Sequence, residues 1–394
     1  MFDSLTPQPA DKILALMDAF RADPRDGKID LGVGVYRNPK GETPVMRAVK
    51  AAERRLWETQ ETKAYVATTG DAAFTDAMRQ LVFAHVVDPA RIAAAAMPGG
   101  TGAVRQAAEL VRHAEPSATI WLSAPTWPNH PSILRYLGIP TREYRYFDAS
   151  TGTVDTDGMF EDLAAVRPGD AILVHGCCHN PTGANLTDAD WTRLAELCAD
   201  RGAVPFVDLA YQGFGDGLAE DVSGLRILAG TVDEMLVAAS CSKNFGLYRD
   251  RAGALFALCR TPDAAKVAQG TLGWLNRQNF SFPPDHGTRI VQTILGDDAL
   301  RADWTAELEE IRSSMLGLRA QLAAELRQRT NSDRFDFIGA HRGMFSRLGA
   351  TPDQVETMRR DHGVYAVGDS RINIAGLNET TVPLLAAAMV DAGM

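Results

Sequence analysis

Among 394 residues there are only five cysteines, Cys177, Cys178, Cys198, Cys241 and Cys259. The count is odd, two are adjacent and no C-x-x-C pair exists, which argues against a disulfide framework or a zinc ribbon and fits a reducing compartment. No apolar run is long enough to span a bilayer. The N-terminus carries Asp3 and no apolar h-region, so no signal peptide is expected and a cytoplasmic protein is. Positive charge is also short: 40 Lys and Arg against 50 Asp and Glu leave a formal charge of −10. That disfavours generic binding to a nucleic-acid backbone and leaves room for a local basic site only. Internal repeats and low-complexity tracts are absent too.

What remains is the composition of a globular protein, 45% apolar and 23% charged, with length for two or three domains. Short apolar runs at 119–122, 171–176, 204–207, 235–239 and 254–258 are separated mostly by helical segments such as 187–201. This alternation predicts an α/β fold, a mainly parallel sheet with helices on both faces. Four runs end in polar or glycine-rich segments, at 123–130, 179–183, 208–211 and 240–243. Ligands of such sheets sit outside the carboxyl ends of the strands. Further helices are expected at 43–57, 103–113 and 297–329. Beyond them, strand-like pieces at 335–338, 344–347, 364–367 and 372–374, with helices at 352–361 and 380–392, predict a smaller α+β unit. The first ten residues, with Pro7 and Pro9, read as an extended arm. Asp11 can cap a helix that places Ile13, Leu14, Leu16, Met17 and Phe20 on one face.

The chemistry gathers around Ser240-Cys241-Ser242-Lys243-Asn244-Phe245-Gly246. Two hydroxyls, backbone N–H groups and Arg251 suit a phosphate monoester, and a lysine beside them can form a Schiff base with a carbonyl on the same ligand. Taken alone, Ser-x-Ser-Lys is more often a solvated turn with a surface lysine. Gly99-Gly100-Thr101-Gly102 before a helix is a second phosphate-type cradle. Pyridoxal phosphate would further want a carboxylate for its ring nitrogen (Asp208), an aromatic face (Trp127), donors for its phenolic oxygen (Tyr211, Asn180) and an arginine fork for the substrate carboxylate. The Gly32-x-Gly34 pair lacks the third glycine of a dinucleotide fingerprint, and Pro39 and Lys40 stand where a helix would open.

In order along nearly the whole chain, Gly99-Gly100-Thr101-Gly102, Trp127-Pro128-Asn129-His130, Asn180-Pro181-Thr182-Gly183, Asp208-Leu209-Ala210-Tyr211, the Lys243 segment through Arg251, and Arg371-Ile372-Asn373-Ile374-Ala375-Gly376 resemble the motifs of the class I, fold-type I pyridoxal-phosphate aminotransferases, aspartate and aromatic subgroup. The resemblance implies transamination between an aromatic or dicarboxylic L-amino acid and 2-oxoglutarate. Lys243 would be the Schiff-base lysine and proton carrier, and Asp208, backed by His130, the pyridinium partner. Trp127 would stack on the ring, Tyr211 and Asn180 hold its phenolic oxygen, and Gly100, Thr101, Ser240, Ser242 and Arg251 seat the phosphate. Arg371 would grip the α-carboxylate, with Gly34, Trp127 and Asn180 beside the substrate. The resemblance also implies a homodimer in which Tyr65 reaches the partner's phosphate and Arg277 its distal substrate carboxylate, with the N-terminal arm on the neighbour. It divides the chain into an arm (1–10), a large domain (44–310) and a small domain (11–43 with 311–394). No metal is expected.

Cys177, Cys178, Cys241, His175 and His179 read as packing residues beside the site. Phe280, Phe282 and Arg347 depart from the aspartate-specific pattern. An apolar group beside the distal pocket favours aromatic side chains, which argues against strict aspartate specificity. The alternatives are a strict aspartate aminotransferase and a pyridoxal-phosphate lyase or decarboxylase. A transcription regulator would need a DNA-binding domain for which no residues are spare.

Overall fold

In the computed structural model, which describes residues 1–7 and 12–394, seven strands form the central sheet. Across it run Ile92–Pro98, Ala252–Leu258, Met235–Ser240, Val204–Leu209, Ala171–His175, Ile120–Ala124 and Thr141–Arg145. Ala252–Leu258 is antiparallel to both its neighbours, and the remaining pairings are parallel. Strands 171–175, 235–240 and 252–258 are buried at every position, because helices cover both faces. Alternate residues accordingly enter two separate cores. Ile172, Val174, Val207, Val237 and Ala239 face one, and Leu173, Phe206, Leu236 and Ala238 the other.

Two of the seven strands differ from expectation. Ile92–Pro98 has the sequence IAAAAMP, poor in the β-branched residues that mark strands. Its alanines are what the neighbouring helix Gly99–Ala114 requires, since Ala103, Ala107 and Ala108 share the core with Ala93 and Ala95. Thr141–Arg145 is an edge strand with only Tyr144 buried. Three further boundaries are corrected. The helix expected from 43 begins at Arg47, after an extended Met46. The helix expected from 103 begins at Gly99, so the glycines form its first turn. The strand expected at 335–338 is instead a turn leading into a short helix, Phe337–Ala340, with Phe335 of the turn and Ile338 of the helix both buried.

A third core joins the two ends of the chain. Ile29 and Leu31 pack with Leu318, Leu322 and Leu326 of the long helix Asp298–Thr330 and with Val355, Met358 and Leu385. Ile29–Asp30 pairs in parallel with Val364–Tyr365. The short pair Phe345–Arg347 and Arg371–Asn373 is antiparallel. At the N-terminus Phe2–Ser4 makes one 3₁₀ turn and residues 1–7 are exposed. The helix Lys12–Ala22 follows, but its expected cap, Asp11, lies outside the described residues.

Candidate active site

The parallel strands deliver their polar ends to one edge of the sheet. Asp208 is the fifth residue of Val204–Leu209 and Ser240 the last of Met235–Ser240. In register, His175 lies beside Asp208, and Gly253 beside Ser240. The antiparallel strand starts at this same edge, so Arg251, just before it, arrives here too. Together Gly34, Gly100, Thr101, Trp127, Asn180, Asp208, Tyr211, Ser240, Ser242, Lys243 and Arg251 line one cavity of about 160 Å³.

One end of this cavity is built for an anion. It faces the first turn of the helix Gly99–Ala114, whose opening N–H groups have no intrahelical partner. Ser242 Oγ accepts from Arg251 Nη1 at 3.3 Å, and Ser240 Oγ from the Ser242 N–H at 3.2 Å. Gly99 needs its positive φ of 70°, and a Cβ there would lie 2.6 Å from Arg251 Nη2. At Gly100 a Cβ would meet that of Ser240 at 2.9 Å. Side chains at either position would fill the cradle.

The other end holds the titratable groups. Asp208 Oδ2 accepts from or shares a proton with His130 Nε2 at 3.0 Å, and His130 Nδ1 meets Thr126 Oγ1 at 2.8 Å. Burial alone would raise the Asp208 carboxyl. The hydrogen bond and charge of His130, with smaller help from His175 and Lys243, outweigh it and keep the group below its usual range. The Lys243 amine lies 5.0 Å from the centre of the Tyr211 ring. Burial pulls it down to about 8, against the attraction of Asp208, and Arg251 pushes the same way as burial. Burial also drives the Tyr211 phenol well up, with Arg371 opposing.

The depressed lysine makes a testable statement about stability. A base lowered by folding binds fewer protons folded than unfolded between its two pKa values, so its penalty is full below pH 8, lifts as pH rises from there, and is gone above the ordinary lysine value. Apoprotein carrying Lys243→Met is therefore expected to be more stable than wild-type apoprotein at pH 7, by about 2 kcal/mol after discounting for water in the cavity. The difference should shrink as pH passes from 8 through about 10.4. Urea melts of both apoproteins across that range check it, and equal stability at pH 7 would refute it.

Arg371 does not line the cavity itself but lies behind its wall, close enough to Tyr211 for its charge to act on that phenol. Its Nη2 donates to the Gly32 carbonyl at 2.6 Å, its guanidinium lies 4.4 Å from the Phe345 ring centre, and its Nε has no partner among the described residues. Two residues are not brought here. Tyr65 is 85% exposed, stacked on Phe282 with ring centres 4.7 Å apart. Arg277 is also exposed, 5.3 Å from the Phe282 ring and hydrogen-bonded to Ser281. Phe282 thus travels with Tyr65 and Arg277 rather than lining the cavity of its own chain. Arg347 donates to the Asp369 carbonyl.

Two residues on the cavity wall escaped the sequence reading. Tyr248 lines it, and its hydroxyl accepts the Tyr36 N–H at 3.1 Å, tying the 31–37 loop down. His175, read as packing, also lines it, with neither ring nitrogen partnered among the described residues and its pKa lowered to about 3 by burial and by His130. No sequence signal separates it from His179, which is satisfied by Ser123 and Thr182 and stacked on Tyr146. The cysteines are all free and buried.

The residues present fit pyridoxal phosphate. The anion cradle, the ionised carboxylate beside a histidine, the half-buried lysine and the cavity-lining Asn180 amide, whose Nδ2 can donate, correspond to its phosphate, ring nitrogen, aldehyde and phenolic oxygen. Comparison with known proteins agrees. The family model "Aminotransferase class I and II" matches residues 26–389. The aromatic-amino-acid aminotransferase of Paracoccus denitrificans is 56% identical over 394 residues, the whole of both chains. The aspartate aminotransferase of Escherichia coli K12 is 42% identical over 393 residues, 99% of each. The crystal structure of an aromatic-amino-acid aminotransferase from Burkholderia pseudomallei, covalently bound to pyridoxal phosphate, superposes with a TM-score of 0.97 at 38% identity, covering 100% of this chain and 99% of that one.

Proposed function

The chain belongs to the class I and II aminotransferases, and from that premise we propose that it moves the amino group between an aromatic or dicarboxylic L-amino acid and 2-oxoglutarate in a ping-pong exchange. It is a transaminase with pyridoxal phosphate as cofactor. The observation that carries the substrate and site reading is the meeting of Lys243, the Asp208–His130 pair and the Arg251 cradle in one cavity, with Arg371 behind the Tyr211 wall.

Bound pyridoxal phosphate supplies an electron sink that stabilises negative charge at the substrate Cα. Lys243 takes and returns the proton at that carbon, and its lowered pKa keeps a usable fraction neutral near pH 7. Asp208 holds a proton at the ring nitrogen, and His130 orients the carboxylate. Trp127 covers the ring, Tyr211 and Asn180 hold the phenolic oxygen, and Gly100, Thr101, Ser240, Ser242 and Arg251 seat the phosphate. Arg371 binds the α-carboxylate through its planar fork, and Gly34 leaves room over the substrate. Mixing the pyridoxal-phosphate form with single amino acids and timing each half-reaction tests the substrate range. Release of pyruvate or CO₂ without oxo-acid-dependent transfer would favour a lyase or decarboxylase instead.

We read the protein as a cytoplasmic homodimer. Exposed Met1, Phe2 and Leu5 on the arm, and Tyr65 and Arg277 off their own cavity, support a partner that each chain completes. The domain division 11–43 with 311–394 against 44–310 is supported by the core joining both chain ends. Among the described residues no helix is long and apolar enough to cross a membrane. Arg277→Leu should then cut kcat/KM for aspartate by about 3 kcal/mol, roughly 10²-fold, as a desolvated charge pair is lost. Phenylalanine should lose far less, because its ring can lie on Phe282. Equal losses for the two substrates would remove Arg277 from the distal-carboxylate role.

A further inference from the structure

Arg319, in the middle of the helix Asp298–Thr330, has 0% of its surface exposed. No carboxylate is among its partners within the described residues. Nη2 donates to the carbonyls of Phe345 at 2.7 Å, Gly343 at 2.8 Å and Arg342 at 3.3 Å, while Nη1 donates to Ser346 Oγ at 2.7 Å and the Ile338 carbonyl at 3.1 Å. Nε reaches Gly343 as well. A buried cation without an anion is costly, and only convergent dipoles offset it. That convergence fixes the path of the chain from 338 to 346. A lysine could keep the charge but could not match so many acceptors with a planar fork. Burial pulls the Arg319 pKa down to about 9.

The segment so fixed touches the mouth of the active site. Phe345, whose carbonyl Arg319 holds, puts its ring under the Arg371 guanidinium at 4.4 Å. The same ring leaves no room for a side chain at Gly34, where a Cβ would stand 2.9 Å from Phe345 Cζ, and it meets the Tyr211 ring edge-on at 6.1 Å. In the short sheet, Arg347 pairs with Arg371 and Phe345 with Asn373. Among the described residues Arg371 has one side-chain hydrogen bond, to Gly32. The Phe345 face is therefore the second support that fixes how its fork points.

We propose that Arg319 is a positioning residue for substrate carboxylate binding: by holding the 342–346 carbonyls it sets Phe345, and through that ring it sets Arg371. This rests on the reading of Arg371 as the α-carboxylate residue. A misplacement of the fork by a fraction of an ångström acts on every ligand with a carboxylate and on none without one.

The test uses holoenzyme carrying Arg319→Lys or Arg319→Gln. Affinity for 3-phenylpropionate is measured by calorimetry, and half-reactions are timed with phenylalanine and with 2-phenylethylamine, which has the same ring and amine and no carboxylate. We expect 3-phenylpropionate binding and the KM for phenylalanine to weaken by about 10- to 100-fold. The 2-phenylethylamine half-reaction should keep its rate. Unchanged 3-phenylpropionate affinity, or equal losses for both amines, overturns the proposal. Where the Arg319 variants fail to fold, Phe345→Leu must give the same carboxylate-selective loss, and its absence overturns the proposal equally. Arg371→Lys in the same assays separates the two readings. If it weakens 3-phenylpropionate while the Arg319 variants do not, only the Arg319 role fails. If Arg371→Lys leaves that affinity intact, the Arg371 assignment fails and the Arg319 role falls with it.

Discussion

Replacing Lys243 by alanine is expected to lower transamination by about 10⁴-fold, the upper range for removing a positioned acid–base group. The amine lies at the cavity wall between the anion cradle and Tyr211, and no other lysine lines that cavity. Arg251 and Asp208 cannot substitute. The guanidinium offers only donors, already given to Ser242 and the Tyr248 carbonyl, and the carboxylate is committed to His130. Cofactor should still bind Lys243→Ala noncovalently, because the Ser240, Ser242 and Arg251 cradle is untouched. Two measurements check this. Borohydride reduction of wild-type holoenzyme followed by peptide mapping should place the pyridoxyl label on Lys243, and a label on Lys266 would refute the assignment. Added methylamine or ethylamine should restore part of the activity of Lys243→Ala, since a small base can occupy the vacated space.

Asp208→Ala is expected to cost about 10³-fold or more in kcat, the scale on which a preorganised charge opposite a developing charge acts. The carboxylate is buried, and His130, helped by His175 and Lys243, outweighs the burial that would neutralise it. Without it nothing at that end of the cavity holds a proton on the ring nitrogen, since His175 is itself driven neutral by burial. Asp208→Glu should recover part of the loss and Asp208→Asn little. Near-normal turnover in Asp208→Ala would show the carboxylate to be structural. Stability should change in the same variant with a defined pH sense. A carboxyl held below its usual range stabilises the fold above its unfolded pKa, and the benefit disappears as pH falls through the folded value. The wild-type advantage over Asp208→Ala should therefore narrow on acidification below about pH 4.

Much of this was legible in the chain, for identifiable reasons. Strands buried on both faces read as plain apolar runs, so 171–175, 204–209 and 235–240 could be found, and the polar groups at their ends with them. Ile92–Pro98 could not, because its alanines are dictated by the helix beside it and carry no strand signal. Side chains whose work depends on a distant partner were also out of reach. Nothing near Phe345 in sequence says that its ring supports an arginine 26 positions later, and nothing around Arg319 distinguishes it from the exposed arginines of the same helix. The motif at Lys243 is self-contained, so it could be read whole. Tyr248, just beyond Gly246, gains meaning only from Tyr36, some 200 residues upstream.

The pairing of Ile29–Asp30 with Val364–Tyr365, and the bond from Arg371 to Gly32, bear on how the molecule comes to exist on a ribosome. The segment around residue 30 emerges early and must wait for nearly all the remaining chain before its partner strand is made. The central sheet can close once residue 258 has appeared, but the core containing Leu31 and Leu385 cannot. Loop-closure entropy rises only slowly with length, so the delay weakens the finished fold little. Its cost falls instead on the interval of synthesis, when Ile29 and Leu31 stand uncovered. A nascent chain halted before residue 364 should present a folded sheet with a protease-sensitive N-terminal segment, and that sensitivity should vanish on release of the complete polypeptide.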